Sequence, residues 1–175
     1  QVYRGYPAAG AGVAGGDPSL KVALFALTYD QDLGIPISVY GRDQAGNEAR
    51  ATFDFRVIPK AFRKSRIDLD DRFLARVVPA ILDNTPDLKV DNPADLLASY
   101  LTINRELRRR NNEKIAALAA SSAPGRLWRG PFKQLVNSAV ESGFADQCTY
   151  VYKGEDVDQQ VHLGFDLAST AAAPG

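Results

Sequence analysis

Thr149-Tyr150-Val151-Tyr152-Lys153-Gly154-Glu155-Asp156-Val157-Asp158-Gln159-Gln160-Val161-His162-Leu163-Gly164-Phe165-Asp166-Leu167-Ala168 reads as strand, turn and strand. Aromatic and β-branched residues from Thr149 to Tyr152 favour a strand, and Gly154-Glu155-Asp156 supplies its turn. The second strand leads into the only histidine of the chain, four residues before Asp166. In an extended segment residues of equal parity share a face, so His162 and Asp166 are predicted to converge on one point. A neutral imidazole nitrogen and a carboxylate oxygen both suit zinc, whose catalytic sites take three protein ligands and keep a fourth position for water. A lone histidine is more often packed or solvated than a ligand, so the spacing alone yields a pair of donors and not a site.

The surrounding residues add context. Tyr150-Val151-Tyr152-Lys153-Gly154, then Val157, then Val161 to Ala168 follow one another in an order that resembles the opening of the lysostaphin and LytM type zinc peptidase domain. The resemblance covers residues 126–175. It implies that His162 and Asp166 are the first two zinc ligands of a His-x-x-x-Asp pattern, with Gly164 inside the spacing and Leu167-Ala168 after it. It further implies a zinc metalloendopeptidase that hydrolyses peptide crosslinks of peptidoglycan, placed in a bacterial cell envelope, periplasmic or secreted. The family's later His-x-His, which brings the third ligand and assists the hydrolytic water, has no counterpart here, because His162 is the sole histidine. Zinc is therefore expected only with ligands beyond residue 175, no catalytic residue is assigned within the chain, and residues 1–175 alone are expected to be inactive. A companion chain or a continuation is expected to supply the remaining peptidase strands, and without them the hairpin is expected to carry unpaired edges. The alternative is a non-catalytic LytM-type envelope protein that binds and activates another wall hydrolase. A third reading makes the upstream segments a positioning or inhibitory module.

Composition narrows the partners. The chain has 175 residues, 45% of them hydrophobic, which is enough apolar material for a core. Lys and Arg balance Asp and Glu at 21 each, which argues against a dedicated nucleic-acid binder. No stretch is apolar enough for a transmembrane helix, and with no methionine in the sequence a signal or membrane anchor is expected upstream of Gln1. Cys148 is the only cysteine and is read as a small core residue and not as a nucleophile.

Upstream, the chain is predicted to be multi-domain α+β: a partial immunoglobulin-like β-sandwich over 1–58, a helical segment over 59–125, and the start of an antiparallel peptidase domain over 126–175. The glycines of Ala8 to Gly16 lack a Gly-Lys-Ser/Thr end and read as a connecting loop after a short strand around Val2 to Tyr6. Lys21 to Tyr29 and Ile37 to Tyr40 are β-prone, and Phe53, Phe55 and Val57 alternate with Thr52, Asp54 and Arg56 as in a strand with one buried face. Val39 to Asn47 resembles the last hairpin of bacterial immunoglobulin-like domains, with Asp43, Gly46 and Asn47 as turn residues. Lys60, Arg63, Lys64 and Arg66 read as a polar linker.

After the linker the apolar period becomes helical. Asp68 or Asp70 is predicted to cap a helix carrying Phe73, Leu74, Val77, Val78 and Ile81, with Pro79 kinking or restarting it. Asn92-Pro93 is predicted to open a longer helix through Leu107 toward Ala120. Its Arg105, Arg108, Arg109 and Arg110 read as a solvated face paired with Glu106 and Glu113, or as a contact for an anionic wall polymer, a membrane surface or an acidic partner. Trp128 and Phe132 are predicted to pin a loop against the sheet or helices.

Overall fold

A computed structural model describes residues 2–11, 17–123 and 126–169. The glycine-rich stretch at 12–16 and the Pro124-Gly125 break lie outside the described residues. The chain is mixed α+β, mostly strand, with its strands divided among several small sheets. It forms two compact units, residues 1–3 with 24–61 and residues 4–23 with 62–175.

The first unit contains one described hairpin. Strands β3 (Ser38–Arg42) and β4 (Glu48–Thr52) pair antiparallel from Ser38↔Thr52 to Arg42↔Glu48. Its turn is closed by Asp43, whose carboxylate accepts from the Asn47 backbone N–H (2.8 Å) and side-chain amide (2.7 Å). Gly46 takes the left-handed conformation (φ 91°) that a side chain resists. Asp43 is thus a turn residue, as its sequence context implied. The alternation through Phe53, Phe55 and Val57 does not make a strand: β4 ends at Thr52, and the Phe53 and Phe55 rings contact each other at 5.8 Å. Alternation favours extended backbone, but a strand also needs a hydrogen-bonding neighbour.

The second unit opens with β1 (Tyr6–Pro7) paired to β2 (Lys21–Val22). Lys21 to Tyr29, β-prone in sequence, thus contributes only two paired residues. Strand β5 (Lys64–Leu69) follows where a polar linker is expected. Ser65, Ile67 and Leu69 turn inward while Lys64, Arg66 and Asp68 stay exposed. The charges are the outer face of an edge strand.

Helix α1 (Asp71–Asp83) is capped by Asp70, whose carboxylate accepts from Phe73 N–H at 2.6 Å. The helix continues through Pro79. Pro79 and Ala75, whose carbonyl loses its donor, are both on the exposed side, where that carbonyl is open to solvent. The next helix starts later than predicted, at α2 (Leu96–Thr102), because Asp95 and not Asn92 caps it, accepting from Ala98 N–H at 2.9 Å. Asn92 instead folds its side chain back onto Ala94 N–H (3.1 Å) in the preceding turn. A π-helical turn over Ile103–Leu107 joins α2 to α3 (Arg108–Ala120), which buries no residue.

Strand β6 (Ser138–Ser142) pairs with β9 (Asp166–Ser169), and β7 (Gln147–Tyr152) with β8 (Glu155–Val161). The β7–β8 turn uses Lys153 (φ 51°) and Gly154 (φ 88°), the two left-handed residues of a tight hairpin. Strand β7 is also paired on its other side, in parallel with β5, from Lys64↔Gln147 to Leu69↔Tyr152. The expectation of an unpaired hairpin therefore fails for β7, the centre of a three-stranded sheet. It also follows that residues read as a helical segment (59–125) and as a separate C-terminal domain (126–175) share one sheet. A parallel pair needs a crossover, which α1, α2 and α3 provide. Leu69, Leu74, Val78, Leu88, Tyr100, Ile103, Cys148 and Tyr150 form the core between helices and sheet.

Candidate functional site: the His162–Asp166 pair

Two different strands deliver the pair. Strand β8 ends at Val161, and His162 is held beyond it by backbone bonds: its N–H donates to Asp146 O (2.9 Å), and its carbonyl accepts from Ala145 N–H (2.7 Å). The chain bends at Gly164, and Asp166 begins β9 opposite Ser142 of β6. The predicted convergence is present, but a bend produces it instead of the parity of one continuous strand. His162 Nε2 lies 3.5 Å from Asp166 Oδ1.

Gly164 makes the bend possible by close approach. A Cβ there would stand 3.1 Å from His162 Nε2 and 3.2 Å from its Cε1, tighter than ordinary van der Waals contact. The imidazole packs over the glycine, so its side chain is only 19% exposed against 61% for Asp166. His162 Nε2 is buried and has no hydrogen-bond partner. A buried nitrogen without a partner costs free energy unless something satisfies it.

A zinc ion would satisfy it. Zinc–nitrogen and zinc–oxygen bonds of about 2.0–2.2 Å at a tetrahedral angle place the two donor atoms about 3.4 Å apart, close to the separation found. The donor types and spacing are compatible with two ligands of such an ion, as they are with a His–Asp ion pair. The set is a pair only: among the described residues no group of three His, Cys, Asp or Glu side chains is placed to hold a metal.

Two further polar networks go beyond what local sequence patterns report. Asp146, its side chain 7% exposed, accepts at Oδ2 from Arg63 Nε (2.8 Å), Gly143 N–H (3.1 Å) and Ser142 Oγ (3.4 Å). Burial opposes its charge, but the Gly143 N–H, the Arg63 guanidinium and the Ser142 hydroxyl together hold its pKa below the ordinary value. Ala145 beside it is fully buried in the left-handed region (φ 66°), a strained position for a residue with a Cβ. The signal in sequence was Gly143 followed by Asp146, a turn pattern, but Arg63 is 83 positions away.

The second feature is the π-helical turn, which points Asn104 inward to donate to Asp158 Oδ2 (2.9 Å), while Arg105 Nε donates to Asp158 Oδ1 (2.9 Å). Arg108 donates to Asn104 Oδ1 (2.9 Å). The arginine cluster thus splits. Arg105 and Arg108 serve this network, and Arg109 and Arg110 pair with Glu106, with Arg109 also bonding Glu113. Hydrogen bonds from Arg109 and Arg110 lower the Glu106 pKa to about 2.

Cys148 is buried in the core, and burial pushes its thiol pKa up, so it stays protonated and unreactive. Trp128 and Phe132 contact each other at 5.7 Å, with Phe132 82% exposed, so Phe132 packs on its own loop and is not covered by the sheet or helices. No helix among the described residues is long and apolar enough to cross a membrane. Compared with protein-family models, curated proteins and solved structures, the chain finds no match.

Proposed function

We propose that residues 1–175 belong to a LytM-type zinc metalloendopeptidase of the bacterial cell envelope that hydrolyses peptide crosslinks of peptidoglycan. The observation that carries this reading is the buried His162 Nε2, which makes no hydrogen bond and lies 3.5 Å from Asp166 Oδ1, a separation suited to two ligands of one zinc ion. Bound zinc supplies a Lewis acid that polarises the scissile carbonyl and makes water nucleophilic at neutral pH. His162 and Asp166 hold and orient that ion and do not act as the general base. In this proposal the third ligand and the residues that assist the water come from beyond residue 175.

The ribbon β6–β9 supports the same reading. A two-stranded ribbon is marginal alone, and Val140, Leu163 and Phe165 around it are exposed. Further strands of a peptidase sheet would cover them. The β3–β4 hairpin is proposed as the closing hairpin of an immunoglobulin-like sandwich, on the strength of its Asp43-Gly46-Asn47 turn.

The test is zinc content and cleavage of crosslinked wall peptides by a polypeptide extended past residue 175. The extended protein is expected to hold zinc tightly and to cleave, and residues 1–175 to bind it weakly. His162→Ala and Asp166→Ala should each abolish zinc and turnover, while Cys148→Ala should retain both. Full zinc occupancy and turnover in His162→Ala would sink the proposal. Zinc-free binding of wall peptides without cleavage would favour the non-catalytic envelope protein.

A further inference from the structure

We infer that Arg63 and Asp146 form a clamp that positions both zinc donors without touching the metal, an inference that rests on the zinc reading above. Asp146 meets the first donor through its backbone: its carbonyl accepts the N–H of His162 at 2.9 Å. Its carboxylate meets the second donor through β6, accepting from Gly143 N–H and Ser142 Oγ, and Ser142 is the partner of Asp166 across the ribbon. Arg63 fixes that carboxylate through Nε at 2.8 Å and Nη2 at 2.6 Å, and its Nη2 also donates to Glu141 O in β6 at 2.8 Å. The Arg63 carbonyl accepts from Gln147 N–H at 2.8 Å, which ties the start of β5 to the start of β7.

One guanidinium and one carboxylate therefore join the three segments whose relative placement sets the His162–Asp166 separation. Two donors on separate strands gain affinity for an ion only if both stay near bonding distance before it arrives. Removing the clamp deletes no ligand. It frees the β6–β7 turn, on which the His162 backbone and the Asp166 strand both depend.

The ion pair Arg66–Asp156, at 2.6 Å across the same sheet, is the control, because Asp156 sits at the turn end of β8, away from His162, and the pair does not bond to the β6–β7 turn. Zinc affinity is read by competition with a chromogenic chelator in the polypeptide extended past residue 175, and stability by thermal unfolding of its zinc-free form. Asp146→Asn and Arg63→Met should each weaken zinc binding about 10- to 100-fold, the scale seen when groups supporting metal ligands are lost. Arg63→Lys should recover part of it. Arg66→Met should leave zinc affinity at the wild-type value even where its unfolding midpoint falls as far. Unchanged affinity in Asp146→Asn and Arg63→Met, with zinc lost in His162→Ala, would overturn the clamp and leave the metal site standing. Equal loss in Arg66→Met would also overturn it, since affinity would then follow stability alone. Retention of zinc by His162→Ala would remove the metal reading itself.

Discussion

Gly164 shows how much can rest on an absent side chain. Gly164→Ala places a methyl 3.1 Å from His162 Nε2, and the imidazole is the part free to move. The expected result is a stability cost of about 1 kcal/mol in urea unfolding and, under the proposed zinc reading, a much larger relative loss of zinc affinity in a polypeptide extended past residue 175. Unaltered zinc binding would mean that the packed ring is not the ligand geometry. Acid should act on a different pair of residues. Asp146 and Asp158 both have pKa values below the ordinary carboxylate range: burial raises each, and hydrogen bonds from Gly143 and Arg63, or from Arg105, Gln160 and Asn104, outweigh it. Their stabilisation is complete above the unfolded aspartate pKa of about 3.9 and is lost as pH falls through the lower folded values. Unfolding midpoints should thus be flat from neutrality to about pH 5 and fall below about pH 4. Asp146→Asn combined with Asp158→Asn should flatten that fall. At this scale the site was legible where its residues are neighbours in sequence. The spacing of His162 and Asp166 sufficed to predict that the two side chains meet, whereas the bond between Arg63 and Asp146 spans 83 positions and no local pattern reports it.

The helices and strands separate into those set by local chemistry and those set by partners. The cap of α1 is legible as one of Asp68 and Asp70, and the structure selects Asp70, whereas Asn92-Pro93 is a strong opening signal that misplaces the start of α2. Asp95→Ala should destabilise the second unit by about 1 kcal/mol, and Asn92→Ala by less, in denaturant titrations. The reverse order would restore the earlier start. Pro79→Ala should raise stability by up to about 3 kcal/mol, since it returns a donor to the Ala75 carbonyl on an exposed helix face. Strand β5 was hidden by its charges: Lys64, Arg66 and Asp68 dominate the eye, while Ser65, Ile67 and Leu69 carry the buried period. For Phe53, Phe55 and Val57 the period was present and the partner strand was not, so alternation overstated the structure.

Across the molecule, the main departure from the sequence reading is the parallel pairing of β5 with β7, because periodicity predicts strands but not their partners. Strand β7 is bonded on both sides and packed through Cys148 and Tyr150 into the core, so its amides should exchange with solvent slowest. The exposed β3–β4 hairpin should exchange far sooner. Hydrogen exchange resolved by residue will check this, and faster exchange at Thr149 to Tyr152 than at Val39 to Arg50 would contradict the sheet order. The same pairing has a consequence for synthesis. Bringing together positions 83 residues apart costs about 4 kcal/mol of chain entropy. At about 5–20 residues per second, the ribosome leaves β5 waiting roughly 4–17 s for its partner to be made. Throughout that interval β5 is an open edge, and Lys64, Arg66 and Asp68 keep neighbouring nascent chains from adding to it.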